Sequence, residues 1–190
     1  DNFIYLRPEL PATLTIRGAF PTFRHTQVDA TLTGADAQLH WHVTEHLTWN
    51  GKASVLFARN QTADEYLVLM PADRFENELV YQLANWRGLQ NLYLGASLLN
   101  VRTQDRAPEN QDYAPPPDGY ALVGLSAGFT VHAFRQPVEV GLSVSNLFDI
   151  SYRDYLNRFR YYADEIGRNI TVRLKVPFQL TQTPVNKHSS

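Results

Sequence analysis

The stretch Tyr120-Ala121-Leu122-Val123-Gly124-Leu125-Ser126-Ala127-Gly128-Phe129-Thr130-Val131-His132 reads with a period of two. Ala121, Val123, Leu125, Ala127, Phe129 and Val131 fall on one side, with small or polar residues between them. Successive side chains of a strand point to opposite faces, so this is a β-strand with one apolar face. Downstream the rule recurs in Val138, Val140, Leu142 and Val144, then in Ile170, Val172, Leu174, Val176 and Phe178. Upstream it runs through 91–102, 75–86 and Leu47, Trp49, Gly51, Ala53, Val55 and Phe57. Furthest upstream, Val28, Ala30 and Leu32 alternate, and after Gly34 the parity slips by one to Ala37, Leu39, Trp41 and Val43. A one-residue slip predicts a bulge at Gly34 inside one long strand, with a tight turn there as the alternative. The chain is therefore expected to be all-β, an antiparallel up-and-down meander of about seven or eight long strands.

The connections alternate as well. Gaps between strands are short at 45–46, long at 61–74, short at 87–90, long at 103–119, short at 134–137 and long at 148–167. In a meander, alternate connections share an end, so every long loop lies at one end and every tight turn at the other. Membrane β-barrels show this asymmetry, and soluble barrels have no reason to. Alternation leaves open whether the apolar face points inward, as in a soluble barrel or sandwich, or outward to lipid. Three features favour outward. The strands run to ten residues or more. Trp41, Trp49, Phe57, Tyr81 and Trp86 suit interfacial aromatic girdles, and the opposite set is rich in Asp, Gln, Asn, His and Arg.

Composition narrows the function. Of 190 residues, 17 are Lys or Arg and 19 are Asp or Glu, and a net charge of −2 gives no electrostatic reason to expect nucleic acid. There is no cysteine, hence no disulfide and no thiolate site. At 44% hydrophobic and 19% charged the chain is too apolar for disorder. No apolar run is long enough for a transmembrane helix, and Asp1–Arg7 lack the pattern of a signal peptide. No nucleophile elbow, HExxH, Walker or dinucleotide fingerprint is present, so no enzyme and no cofactor are expected.

Several stretches resemble the C-terminal barrel of TonB-dependent outer-membrane receptors. Asn146-Leu147-Phe148-Asp149, then Tyr152, Tyr155 and Arg158-Phe159-Arg160-Tyr161-Tyr162, then Gly167-Arg168 before a last strand closing on Phe178, are similar to that family's terminal pattern. Thr26–Asp36 resembles its strand with a glycine followed two residues on by an acid. Leu69-Met70-Pro71-Ala72-Asp73-Arg74, with Leu79 and Tyr81, resembles its proline-containing outer loop. The resemblance covers residues 1–178 and implies part of a transmembrane β-barrel of about 22 strands. It further implies an outer-membrane location and import of a scarce nutrient such as an iron-siderophore, haem, another metal complex or cobalamin. The partners it implies are membrane lipid, the nutrient, and the TonB complex acting through an N-terminal plug that this sequence lacks. Asp1 then falls part-way up a strand, Phe3–Arg7 form its outer end, and 8–21 form an outer hairpin. Residues 179–190 read as a polar tail, a genuine extension or an expression remnant. The alternatives are a lipocalin-like soluble carrier and a plug-less porin or adhesin.

Within that frame the loops 103–119 and 148–167 are candidates for an outer ligand vestibule, with Tyr113, Tyr152, Tyr155, Arg158 and Arg160 as contacts. The competing reading is that they pack on neighbouring loops. His40 and His42 lie two apart on one strand face and could both reach a metal. A metal site needs further ligands from elsewhere, so they read first as wet lumen residues bonded to neighbours, and no metal site is expected. Asn60-Gln61-Thr62 and Asn169-Ile170-Thr171 match the glycosylation sequon, which in a bacterial barrel is chance.

Overall fold

A computed structural model describes residues 2–133 and 136–177. Its main body is one open antiparallel sheet of β5 (Ala30–His42), β6 (Leu47–Asn60), β8 (Arg74–Trp86), β9 (Leu89–Val101), β10 (Tyr120–Ala133), β11 (Gln136–Ser145) and β12 (Asn169–Lys175), in that spatial order. The short β7 (Glu65–Tyr66) adds to the loop end of β6. Next to this sheet β1 (Phe3–Pro8) pairs with β4 (Phe23–Val28), and the hairpin β2 (Thr13–Thr15) and β3 (Gly18–Phe20) joins them, as expected for 8–21. The terminal aromatic Phe178, the tail 179–190, and Phe134 and Arg135 of the short gap 134–137 lie outside the described residues.

Cross-strand pairs show that the alternation is a property of the whole sheet. Trp41 faces Trp49, Trp49 faces Leu79, Leu79 faces Ala96, Ala96 faces Leu125 and Leu125 faces Val144. Val144 in turn faces Ile170. Direct partners in an antiparallel pair share a face, so one surface is apolar from β5 to β12. Among the described residues nothing covers it: Leu39, Leu94, Leu142 and Val172 are all exposed. Trp49 and Phe57 on β6 are about 26 Å apart along the strand at about 3.3 Å per residue. That matches in scale the apolar band of about 25 Å between aromatic girdles. Trp86 is the exception among the girdle candidates. It falls on the parity of Glu78 and Gln82, at the tight turn, under the Arg87 guanidinium.

The bulge expected at Gly34 is not there. β5 and β6 pair without a break from Ala30 opposite Asn60 to His42 opposite Thr48. Ala30 and Leu32 therefore share a face with His40, and the parity reversal has another cause. At the loop end the polar face itself turns apolar, because loop residues Leu67 and Val68, each 1% exposed, pack there with Tyr5 and Ala58. This small cluster under the loops is the apolar core. The one register shift within the sheet lies between β9 and β10, between Gly128 and Thr130 and close to Asn91, which has φ +50°.

The tight ends are built by local chemistry. Arg87 (φ +48°) and Gly88 (φ +89°) form a two-residue hairpin turn between Trp86 and Leu89. Positive φ at both central positions is the primed turn that matches strand twist, and glycine takes it without strain. At the other described tight turn, Thr44 Oγ1 accepts from the amides of His46 (3.3 Å) and Leu47 (3.0 Å).

The apolar face carries a testable consequence. Leu94→Arg, mid-strand on that face, is expected to destabilise the folded barrel in lipid vesicles by about 2–4 kcal/mol. Gln38→Arg, on the opposite face, is expected to change it by about 0.5 kcal/mol or less. Equal costs in denaturant titrations would show that the face does not meet hydrocarbon.

Candidate functional site

All long connections lie at one end and are fastened to one another. The centre of the fastening is Asp112, in the loop between β9 and β10. Its carboxylate is ion-paired with Arg160 and accepts the Tyr161 hydroxyl hydrogen bond, and the pairing side chains of Asp112 and Arg160 are 6% and 3% exposed. Arg160 sits on the short 3₁₀ turn Arg158–Tyr161, whose start is capped by Asn157 Oδ1 accepting from the Phe159 amide at 3.0 Å. Its guanidinium also donates to Pro115 O at 3.0 Å and lies over the rings of Tyr155 and Tyr161. Burying a charge is costly unless it is paired and hydrogen-bonded, and the loop between β11 and β12 supplies both conditions for its neighbour.

Two further ties complete the cluster. Tyr113 reaches the amino-terminal segment: its hydroxyl donates to Glu9 O (2.6 Å) or Thr22 O (2.8 Å) and accepts from the Thr22 amide (2.8 Å). Gln104, 3% exposed, donates to Met70 O and Pro71 O at 2.9 and 2.8 Å, and Arg106 is ion-paired with Asp73. These ties bring four segments distant in sequence into one body.

The structure distributes the proposed contact residues unevenly. Tyr155 is 6% exposed and its hydroxyl accepts the Leu69 amide at 3.2 Å, so it and Arg160 are spent on holding loops. Tyr152 packs on Tyr120, with ring centres 4.4 Å apart. Arg158 is exposed and lies over the Phe23 ring at 4.9 Å. Beside Tyr113 a cleft of about 520 Å³ opens between β1, β4 and the tip of the β9–β10 loop, lined by Arg7, Glu9, Arg24, Thr26, Asn110 and Gln111. Arg24 is paired with Glu9 at 2.6 Å, while Arg7 has no carboxylate partner among the described residues. Sequence reasoning missed Asp112, Gln104 and the Asp73–Arg106 pair. Nothing in a proline-rich polar loop marks one carboxylate as the buried one.

The terminal motif has a physical meaning. Asn146, 3% exposed at φ +48°, donates to Ile150 O and accepts from the Ile150 amide, closing a turn that the left-handed tolerance of asparagine permits. Asp149 Oδ1 then accepts the Arg168 amide at 2.7 Å. A Cβ on Gly167 would stand 2.6 Å from that same oxygen, so a larger residue there would push the carboxylate off the Arg168 amide. Asn146-Leu147-Phe148-Asp149 and Gly167-Arg168 are thus the two halves of one clasp at the base of the last long loop. Phe148 itself is exposed. The sequon residue Asn60 is buried and its side chain accepts from the Thr62 amide, a turn role.

An open sheet with one lipid-type face and its long loops fastened at one end defines a segment of the wall of a membrane β-barrel. Comparison with known proteins agrees. No family model matches the chain. Over 94 residues, 46% of its length, the chain is 35% identical to the TonB-dependent heme receptor A of Haemophilus ducreyi, of which it covers 12%. In structure it aligns with the copper transporter OprC at a TM-score of 0.73 and 19% identity, over 93% of this chain and 27% of that one. The sequence reading as a segment resembling a TonB-dependent outer-membrane receptor, all-β and not an enzyme, accords with both. The chain spans well under a third of either relative.

Two outcomes test the fastening. Asp112→Ala leaves Arg160 buried and unpaired, a loss of about 3–5 kcal/mol of local stability, read as faster proteolytic cleavage within 103–119 while the sheet stays intact. Burial, and then the hydrogen bond to Asp112, push the Tyr161 phenol above its ordinary value of 10.0. A raised value means that the stabilisation is complete below that pH and is lost as pH climbs through the folded-state value above it. Ultraviolet titration of the wild type minus Tyr161→Phe is expected to show one tyrosine ionising later than a free one.

Proposed function

We propose that this chain is the C-terminal part of the barrel of a TonB-dependent outer-membrane receptor, residues 1–178 forming wall and outer loops and 179–190 a polar tail. The observation that carries the proposal is the pairing of an uncovered apolar face with a sheet that does not close. Among the described residues β5 beyond its junction with β4 pairs only with β6, and β12 only with β11. In hydrocarbon every backbone group needs a partner, so both edges call for further strands of the same barrel. A lipocalin-like carrier would need its apolar face turned into a closed sheet, and the open edges speak against that.

In this reading the fastened loops form one side of a vestibule for a scarce nutrient, and uptake is driven by the TonB complex acting on a plug that precedes these residues. The cleft with the unpaired Arg7 suits an anionic group on the nutrient, as carried by metal chelates and haem. Tyr113, Tyr152 and Arg158 stand nearest to a contact role, while Tyr155 and Arg160 shape the wall behind them. The 35% identity to a heme receptor and the fold shared with a copper transporter support a metal-containing cargo in general, without choosing one.

Fractionation of source cells with an antibody to 103–119 tests the proposal. The expected result is a band several-fold larger than 21.7 kDa in the outer membrane that shifts in mobility on boiling. A soluble band near the chain's own mass would overturn it. Replacing 103–119 and 148–167 by short Gly-Ser turns is expected to abolish nutrient capture while the protein stays in the membrane.

A further inference from the structure

Near the tight-turn end of the polar face, far from the loops, β5, β6 and β8 bring five side chains together. Register alone dictates the grouping: His42 is opposite Thr48, His40 opposite Asn50, and Asn50 opposite Glu78. The Nε2 atoms of His40 and His42 face each other at 3.3 Å. Behind them, His40 Nδ1 meets Asn50 Oδ1 at 2.5 Å, His42 Nδ1 meets Thr48 Oγ1 at 3.1 Å, and Asn50 Nδ2 donates to Glu78 Oε2 at 3.1 Å.

This chain of bonds fixes where the protons are. A carboxylate only accepts, so Glu78 takes the Asn50 amide N–H, which turns the Asn50 oxygen toward His40. That oxygen only accepts as well, so His40 carries its proton on Nδ1 and presents a bare lone pair at Nε2. At His42 the threonine hydroxyl can donate or accept, so either tautomer is served. Without a ligand, His42 closes the pair with an Nε2–H bond to His40, and Thr48 donates to its Nδ1. Moving that one proton from Nε2 to Nδ1, with the Thr48 hydroxyl turning to accept it, leaves two lone pairs side by side and no change in proton count.

We infer that His40 and His42 form a two-imidazole site for a late first-row divalent cation (copper, nickel or zinc) on the inner face of the sheet. Two nitrogens 3.3 Å apart with metal–nitrogen distances of about 2.0–2.1 Å leave an angle of about 105–110° at the metal, close to tetrahedral. Bringing both lone pairs to that point takes a swing of both rings off the line that joins the two nitrogens, and both histidines are exposed. Nδ1 bonded to an oxygen acceptor, backed by a carboxylate, is the outer-shell arrangement that orients a ligating imidazole and fixes its tautomer. Imidazole suits these cations, and copper(II) binds most tightly of the three. Among the described residues no third His, Cys, Asp or Glu completes a cluster, so the other positions fall to water. The site uses β5, β6 and β8 alone and stands whether or not the chain belongs to a nutrient receptor.

Copper(II) alone, titrated into the native untagged polypeptide purified from its source, tests the inference by electron paramagnetic resonance. One equivalent showing coupling to imidazole nitrogen is expected. His40→Gln and His42→Gln should each weaken that signal's affinity tenfold or more, and Glu78→Gln should weaken it severalfold with both imidazoles kept. Folding of each variant is read from the same mobility shift on boiling, or from circular dichroism. Undiminished copper binding in the His40→Gln, His42→Gln double variant, or no bound copper in the wild type, overturns the site.

Discussion

Everything in this chain depends on how its backbone hydrogen bonds are satisfied. A polypeptide in contact with hydrocarbon has no water to take up an idle N–H or C=O, so only a sheet that pairs every strand can present an apolar face there. The long register between β5 and β6, unbroken over the whole of β5, and the near-continuous pairing from β6 to β12 meet that demand internally. The side chains then follow from parity. One set makes the apolar face and the other the polar face, and no layer of core lies between them. The apolar core that does exist is small and sits where the strands leave the membrane zone and loops fold back onto them.

The loop end follows a different logic. There the apolar residues are few, and cohesion comes from charge and hydrogen bonds buried under the loops. Asp112, Arg160 and Tyr161 are the centre, with Gln104 and Tyr113 tying in the segments before β8 and after β3. Such a network is worth having only if nearly every member is satisfied, since a single missing partner leaves a charge stranded. It therefore favours one arrangement of the loops over many.

Much of this was legible in the residues. Period-two alternation located all seven long strands, and the alternation of gap lengths placed the loops at one end, because both signals are repeated along the chain and reinforce one another. Gly34 shows the limit. The slip in parity there was real, but a slip can arise from an extra residue or from a change in what the same face touches, and it takes the unbroken β5–β6 register and the packing of Leu67 and Val68 by Ala58 to distinguish the two. The contact residues show another limit. Arg158 and Arg160 are alike in sequence and two positions apart, yet one is exposed and the other buried, because a 3₁₀ turn sends them in different directions. The histidine pair was visible as spacing, while its proton arrangement was not, since that depends on an asparagine on the next strand and a glutamate one strand further.

The separation of the loop fastening from the loop surface has a bearing on how such a protein changes over generations. Phe159, Tyr162 and Ile166 stand in solvent on the same segment whose Arg160 is locked inside. Whatever approaches the loop end from solvent touches the first group and not the second. Substitutions among those exposed residues leave the buried ion pair undisturbed. The outer appearance of the protein is free to drift residue by residue while the scaffold that displays it is held constant.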